Sequence, residues 1–257
     1  MKPTDGQPSG KSRDLKGLRR SLDVYYRDTE RTARMDSLNR AFVTQGDLVF
    51  DLGAHVGDRT ASFLRLGASV VALEPQPRIF RALKLLQGRK PGVVVLPWAV
   101  GQHEAEMTLY LNSENPTVST LASSFIEATA GAKEWEGQAW DKQVIVPVTT
   151  LDKLISRYGT PDFVKIDVEG HEAEVLSGLT HAIPTLSFEF TTIQRACAYA
   201  CIDRLSELGR YEYNISLGED HVLRHRTWAS ADNMVAEILS LPEAANSGDV
   251  YARVMPD

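Results

Sequence analysis

The sequence predicts an α/β fold, a mostly parallel sheet with helices on both faces, preceded by a helical extension. Three observations predict it. From residue 46 onward, short apolar runs alternate with amphipathic segments, the rhythm of βαβ units. The stretch VFDLGAHVGD, Val49 to Asp58, ends an apolar run in an acid and follows it with two glycines four apart. That is how a strand turns into a helix around a ligand. A second apolar run, VVALE, ends in Glu74, seventeen residues after Gly57.

The chain has 257 residues, 43% of them hydrophobic and 24% charged, ordinary globular usage with enough apolar mass for a sizeable core. A net charge of −6 argues against nucleic acid as the partner, since phosphate binding draws on basic surfaces. No apolar run reaches the roughly 18 residues of a membrane span. The polar start MKPTDGQPSGKSRD lacks the apolar segment of a signal peptide, so a cytoplasmic protein without membrane association is expected. The only cysteines, Cys197 and Cys201, lie one helical turn apart. They read as two small buried residues in a reducing compartment, because two thiols alone do not close a zinc site.

In chain order, residues 1–13 are polar and carry Pro3, Gly6, Pro8 and Gly10, which predicts a disordered tail. Residues 14–44 place Leu22, Tyr25, Tyr26, Met35, Leu38 and Phe42 at helical spacing, with Arg20, Arg27, Arg31, Arg34 and Arg40 on the polar side. A solvated helical extension is expected, open to a homodimer contact or to covering an acidic substrate. Residues 1–45 therefore read as tail plus extension, and 46–257 as the ligand-binding domain. There, DLVFDLG, ASVVALEP and GVVVLPWAVG read as strands, separated by the helices DRTASFLRLG and QPRIFRALKLLQG. A less regular insert over 105–149 holds two more strand candidates, EMTLYLN and QVIVPVTT, the second interrupted by Pro147. The rhythm resumes with helix LDKLISRYG, strand DFVKIDVEG, helix EAEVLSGL, strand PTLSFEFT and helix AYACIDRLSELG. RYEYNISLG and GDVYARV close the chain as strands.

The first turn carries the ligand chemistry. Gly53 and Gly57 leave no side chain in the way of a ligand approaching the backbone, with Ala54 and His55 between them. Asp58 is placed to cap the following helix, and Thr60 sits in its first turn. Glu74, followed by Pro75, offers two oxygens in one plane to the hydroxyl pair of a ribose. A dinucleotide fingerprint would put its first glycine at Asp51. Asp51 and Asp58 would repel a pyrophosphate at the helix N-terminus. S-adenosylmethionine has no phosphate, and its sulfonium and ammonium suit nearby carboxylates. The charge pattern favours it over NAD(P), the cofactor of the competing oxidoreductase reading.

The second constellation is DFVKIDVEGHEAEVLSGL. Asp167 falls near a strand's carboxyl end, Glu169 and His171 follow it, and Glu189 ends the neighbouring strand. His171 has the ordinary pKa of a general base, and Glu169 or Asp167 could serve instead or orient it. Asp167 is also placed for the methionine amino group. These oxygens and imidazole suit a divalent metal, but their spacing fits no closed metal signature, so none is expected.

VFDLGAHVGDRT, ALEPQP, VKIDVEGHEAEVLSGL and SFEF together resemble the FkbM family of S-adenosylmethionine-dependent methyltransferases. The resemblance runs from about residue 46 to 190 and is most distinctive over Val164–Leu179. It implies the class I methyltransferase (Rossmann-like) fold, a seven-stranded mostly parallel sheet with a final antiparallel hairpin. It also implies O-methylation of a small-molecule hydroxyl, such as a sugar or polyketide. The resemblance also makes Trp98 and Ala99 candidates for the adenine end, Trp98 standing where many methyltransferases carry a polar adenine contact, and NPTVSTL adds Ser119 and Thr120 as cofactor candidates. A binding protein that kept this fold without activity is the second alternative; the cofactor acids and the DVEGHE run speak against it.

Overall fold

A computed structural model describes residues 10–255. Two helices come first, α1 (Gly10–Arg27) and α2 (Thr29–Asn39). The expected tail lies outside the described residues over 1–9, and residues 10–13 already belong to α1. Tertiary contact explains the earlier start: Arg13 pairs with Asp141 at 3.7 Å, and Gly17 lies against Ser113 and Pro116. Asp28 caps α2, accepting the Arg31 N–H at 2.8 Å. The extension is not merely solvated. Arg31, Met35 and Leu38 are buried, and the Phe42 ring stacks on Tyr251 at 4.9 Å and Phe163 at 5.6 Å.

The strands are β1 (Leu48–Leu52), β2 (Ser69–Leu73), β3 (Val93–Leu96), β4 (Ala99–Val100), β5 (Ala105–Leu111), β6 (Lys142–Thr149), β7 (Phe163–Ile166), β8 (Thr185–Thr191), β9 (Tyr211–Leu217) and β10 (Ser247–Val254). Seven of them form one sheet in the order β3-β2-β1-β7-β8-β10-β9. Its pairs are parallel except that β10 runs antiparallel to both β8 and β9. The closing pair is not a tight hairpin, because α9 (Ala231–Ser240) interrupts the 218–246 connection. The third expected strand also divides. It ends at Leu96, and after Pro97 and Trp98 the chain leaves as β4 for a second sheet, β4-β6-β5. Pro147 is tolerated within β6 because β4 reaches only Val148 and Thr149, leaving that side open.

Both sheet faces are buried, as crossover helices require. Phe50 and Leu52 of β1 face one core with Ile166, Phe188 and Tyr213, while Val49 faces the other with Phe63, Val70 and Tyr251. The crossovers α3 (Asp58–Arg65), α4 (Pro77–Leu86), α6 (Leu151–Tyr158), α7 (Glu172–Ser177) and α8 (Arg195–Leu208) complete the layers, while α5 (Ser123–Thr129) belongs to the insert between β5 and β6. On α8, Cys201 is buried and Cys197 half-buried, both as free thiols. No described helix is long and apolar enough to cross a membrane.

Candidate functional site

The carboxyl ends of β1, β2 and β7 open into a cleft that is also lined by Tyr25 of α1 and Arg31 of α2. In an open parallel sheet this edge is where ligands bind. Asp51, Gly53, Ala54 and His55 line the cleft from the first turn. Gly53 has φ +80°, and a Cβ there would overlap the Asp167 carbonyl, so glycine is required for the two strand-end loops to pass. Gly53→Ala is expected to cost about 2–3 kcal/mol by overpacking. Urea denaturation checks this, and an unchanged midpoint would show that the loops yield.

Gly57 serves a different purpose. It precedes α3 with φ +84°, and a Cβ would strike Leu83 of α4 and Gln87 just after it. It sets helix packing and is not among the cleft-lining residues. Asp58, expected as the cap, is instead the first helical residue, and its carboxylate receives the Arg31 guanidinium at 3.1 Å. Thr60 lies beneath the cleft and donates its hydroxyl to Asp51 at 2.5 Å. Burial pushes the Asp51 carboxyl up to about 6.

Glu74 and Pro75 line the next wall. Glu74 accepts the His55 N–H at 3.0 Å on one oxygen and the Gln76 N–H at 2.7 Å on the other. Each oxygen keeps a lone pair for a ligand. Burial lifts this carboxyl to about 7. His55 has φ +47°, and its Nδ1 is buried without a hydrogen-bond partner. Burial lowers the imidazole to about 4, which leaves it neutral at physiological pH. Trp98 and Ala99 close the far end, the Arg157 guanidinium lying 5.7 Å from the centre of the Trp98 ring. Ser119 lines the cleft, whereas Thr120 does not.

Asp167 and Glu169 line the cleft, and with Glu189 their nearest oxygens lie within 4.8 Å of one another. Glu169 has φ +57°. Its carboxyl is raised well above its ordinary value, first by burial and then by Asp167. The cation beside this group is the chain's own: Lys165 Nζ lies 3.2 Å from Asp167 and 2.6 Å from Asp249.

His171 lies outside the cleft lining. Gly170, at φ +87°, turns the chain so that the imidazole packs beside Gly101, 3.7 Å from Glu174. It is buried, burial lowers its pKa, and it is not among the residues lining the cleft. The structure instead adds Tyr25, Arg31, Arg59 and Glu219 to the lining. Arg31 Nε donates to Glu219 at 2.9 Å, Arg59 meets His221 at 3.1 Å, and Arg59 lies 3.6 Å from Asp249. The arginines of the extension were visible in the sequence; Glu219, beyond the end of β9, carries no spacing signal. Each cation of this network has a carboxylate within 4.0 Å, so the cleft as a whole favours a cationic ligand.

A family model described as the methyltransferase FkbM domain matches residues 51–215. The chain is similar to the hexuronic acid methyltransferase AglP of Haloferax volcanii, 29% identical over 151 residues, or 58% of this chain and 56% of that protein. The match thus spans little more than half of that relative's length. Among solved structures, it is similar to an O-methyltransferase from Bacillus cereus in complex with SAH, at 10% identity and a TM-score of 0.48, covering 97% of this chain and 92% of that one. A TehB-like SAM-dependent methyltransferase from Corynebacterium glutamicum is similar at 9% identity and a TM-score of 0.45, covering 96% of this chain and all of that one. The family match takes in well over half of the residues and begins on Asp51 itself, and the chain belongs to the FkbM methyltransferase family.

Proposed function

We propose that the protein is an S-adenosylmethionine-dependent O-methyltransferase acting on a small-molecule hydroxyl, with sugars and natural-product scaffolds as the acceptor class. One observation carries this reading: carboxylates ring the cleft at three adjacent strand ends, while its cations are already paired. Such a lining suits a sulfonium and an ammonium, and opposes a pyrophosphate facing Asp51 and Asp58. Asp167 would take the amino group, Glu74 the ribose hydroxyls, and the Trp98–Ala99 end the adenine. The buried, unpartnered His55 Nδ1 adds a polar atom free for the ligand. The cofactor, when bound, supplies an electrophilic methyl group.

The chain's own work is to align the acceptor and remove its proton. We assign proton removal to Glu169, whose raised affinity for a proton makes its carboxylate a stronger base than a solvated one. A sugar acceptor agrees with the hexuronic acid in the name of the Haloferax volcanii relative. Titration calorimetry with S-adenosylhomocysteine and NADH separates the cofactor readings, and binding of the first alone is expected. A panel of glucuronate, glucose and phenolic scaffolds, read by S-adenosylhomocysteine release, then tests the acceptor class. Binding of NADH without S-adenosylhomocysteine would return the oxidoreductase reading.

A pH dependence follows from the buried acids. Glu74 and Asp51 have folded pKa values of about 7 and about 6, above their ordinary carboxylate values. Between the ordinary and folded values the native state holds more protons than the unfolded chain. Apo stability therefore falls as pH rises through this window. A cationic ligand favours the ionised acids, so S-adenosylmethionine affinity should rise as pH increases from roughly 5 to roughly 7.5. Glu74→Gln should flatten that rise in calorimetric titrations. An equally steep rise in the variant would remove Glu74 from the binding site.

A further inference from the structure

We propose that Glu172 and Thr120 are positioning residues, two straps that hold Glu169 aimed into the cleft, an inference that rests on Glu169 as the proton acceptor. Glu169 is a non-glycine residue at φ +57°. Such a conformation carries a cost and persists only where the surroundings over-determine it. Here the main-chain groups on both sides of it are engaged. Glu172 Oε1 accepts the Val168 N–H at 2.9 Å and the Gly170 N–H at 3.3 Å. The Thr120 hydroxyl donates to the Glu169 carbonyl at 2.6 Å. The near end is tied to the sheet by the Asp167 N–H on the Leu52 carbonyl at 3.0 Å.

Each strap makes one further contact: the Thr120 hydroxyl also accepts the Ala122 N–H at 2.8 Å, and Glu172 Oε2 receives the Cys197 thiol at 3.4 Å. Glu172 is 2% exposed and keeps its carboxyl out of water to reach back over the turn, a desolvation that carries its own cost. Thr120 is 1% exposed and belongs to the insert. Its main chain bonds reciprocally with Tyr110 at the end of β5, at 2.9 and 3.0 Å. The insert's small sheet thus fixes Thr120, and Thr120 fixes the carbonyl of Glu169. This gives the irregular 105–149 segment a purpose at the site. Gly170 completes the clamp, since a Cβ there would meet Phe125 and Gln194.

The test pairs each deletion with its conservative variant in the full chain: Glu172→Ala with Glu172→Gln, and Thr120→Val with Thr120→Ser. Gln keeps an acceptor oxygen for the two N–H groups, and Ser keeps the hydroxyl. Three quantities are read: turnover with S-adenosylmethionine and the best acceptor of the panel, KM for the cofactor, and amide hydrogen exchange of segment 166–171 with S-adenosylhomocysteine bound. The deletions should lower kcat by about 10–100-fold, as small misplacements of a catalytic group do. KM should stay within about twofold, and exchange of the segment should rise about tenfold. The conservative variants should return kcat to within about threefold of wild type. Equal losses in the conservative variants would overturn the proposal, as would kcat and cofactor affinity falling together, or exchange unchanged throughout. If Glu172→Ala does not fold, the Thr120 pair decides. If wild type binds S-adenosylhomocysteine but methylates nothing in the panel, the acceptor reading fails and the exchange comparison still judges the straps.

Discussion

Glu169→Gln is expected to lower turnover by about 10²–10³-fold while S-adenosylhomocysteine affinity stays within about twofold. Glutamine has nearly the volume and shape of glutamate, so the buried side chain loses its basicity and little else. The turn is set by the main-chain bonds around it, through Val168, Gly170 and the Glu169 carbonyl, none of which uses the Glu169 carboxyl. The wild-type rate should rise with pH as this buried carboxyl ionises, and that limb should vanish in the variant. His171→Ala provides the contrast. Its ring packs beside Gly101 and is not among the cleft-lining residues, so the folded variant should keep turnover within about threefold of wild type. Initial rates across pH for both variants decide the matter. Near-normal rates in Glu169→Gln with a dead His171→Ala would restore the histidine as the base.

That contrast marks where the sequence stops being legible. Asp51, Gly53 and Glu74 could be read because each sits at the end of an apolar run, and a strand end fixes where its last residue goes. Asp167 and Glu169 of the DVEGHE run come to the same cleft by the same logic, since Asp167 follows β7. Which of its side chains reaches the cleft was set by two consecutive left-handed residues, Glu169 and Gly170. A non-glycine in that conformation has no sequence signature. The Arg31–Glu219 contact joins residues 188 positions apart, and no local pattern encodes such a pair. The insert was illegible for another reason: Trp135, Phe125 and Val118 bury one another in a small core of their own, so their spacing reports neither a long helix nor a regular strand.

Lys165→Met is expected to destabilise the protein by about 3–5 kcal/mol, as removal of one partner of a buried ion pair does. For a domain of this size that corresponds to a loss of about 10 °C in Tm. Lys165 is 3% exposed and sits between Asp167 and Asp249. Methionine fills much the same space, so packing is largely preserved and the charge is what goes. Asp249 would keep only the Arg59 contact at 3.6 Å, and Asp167 would lose its ammonium partner. The pH dependence separates charge from packing. Burial pushes the Asp249 carboxyl up, but Lys165 and Arg59 outweigh it and hold the group below its ordinary value. A depressed acid contributes stability above its unfolded pKa, about 3.9, and loses it as pH falls through the folded value. Without Lys165 that contribution shrinks and Asp249 gains proton affinity. The deficit relative to wild type should then be largest near neutral pH and smallest near about pH 4. Adding Asp249→Asn to Lys165→Met should recover part of the loss, because it removes the stranded charge. Urea denaturation at both pH values measures this. A deficit that is the same at both, with no recovery in the double variant, would mean that Lys165 acts through packing and that the charge row beneath the cleft does not stabilise it.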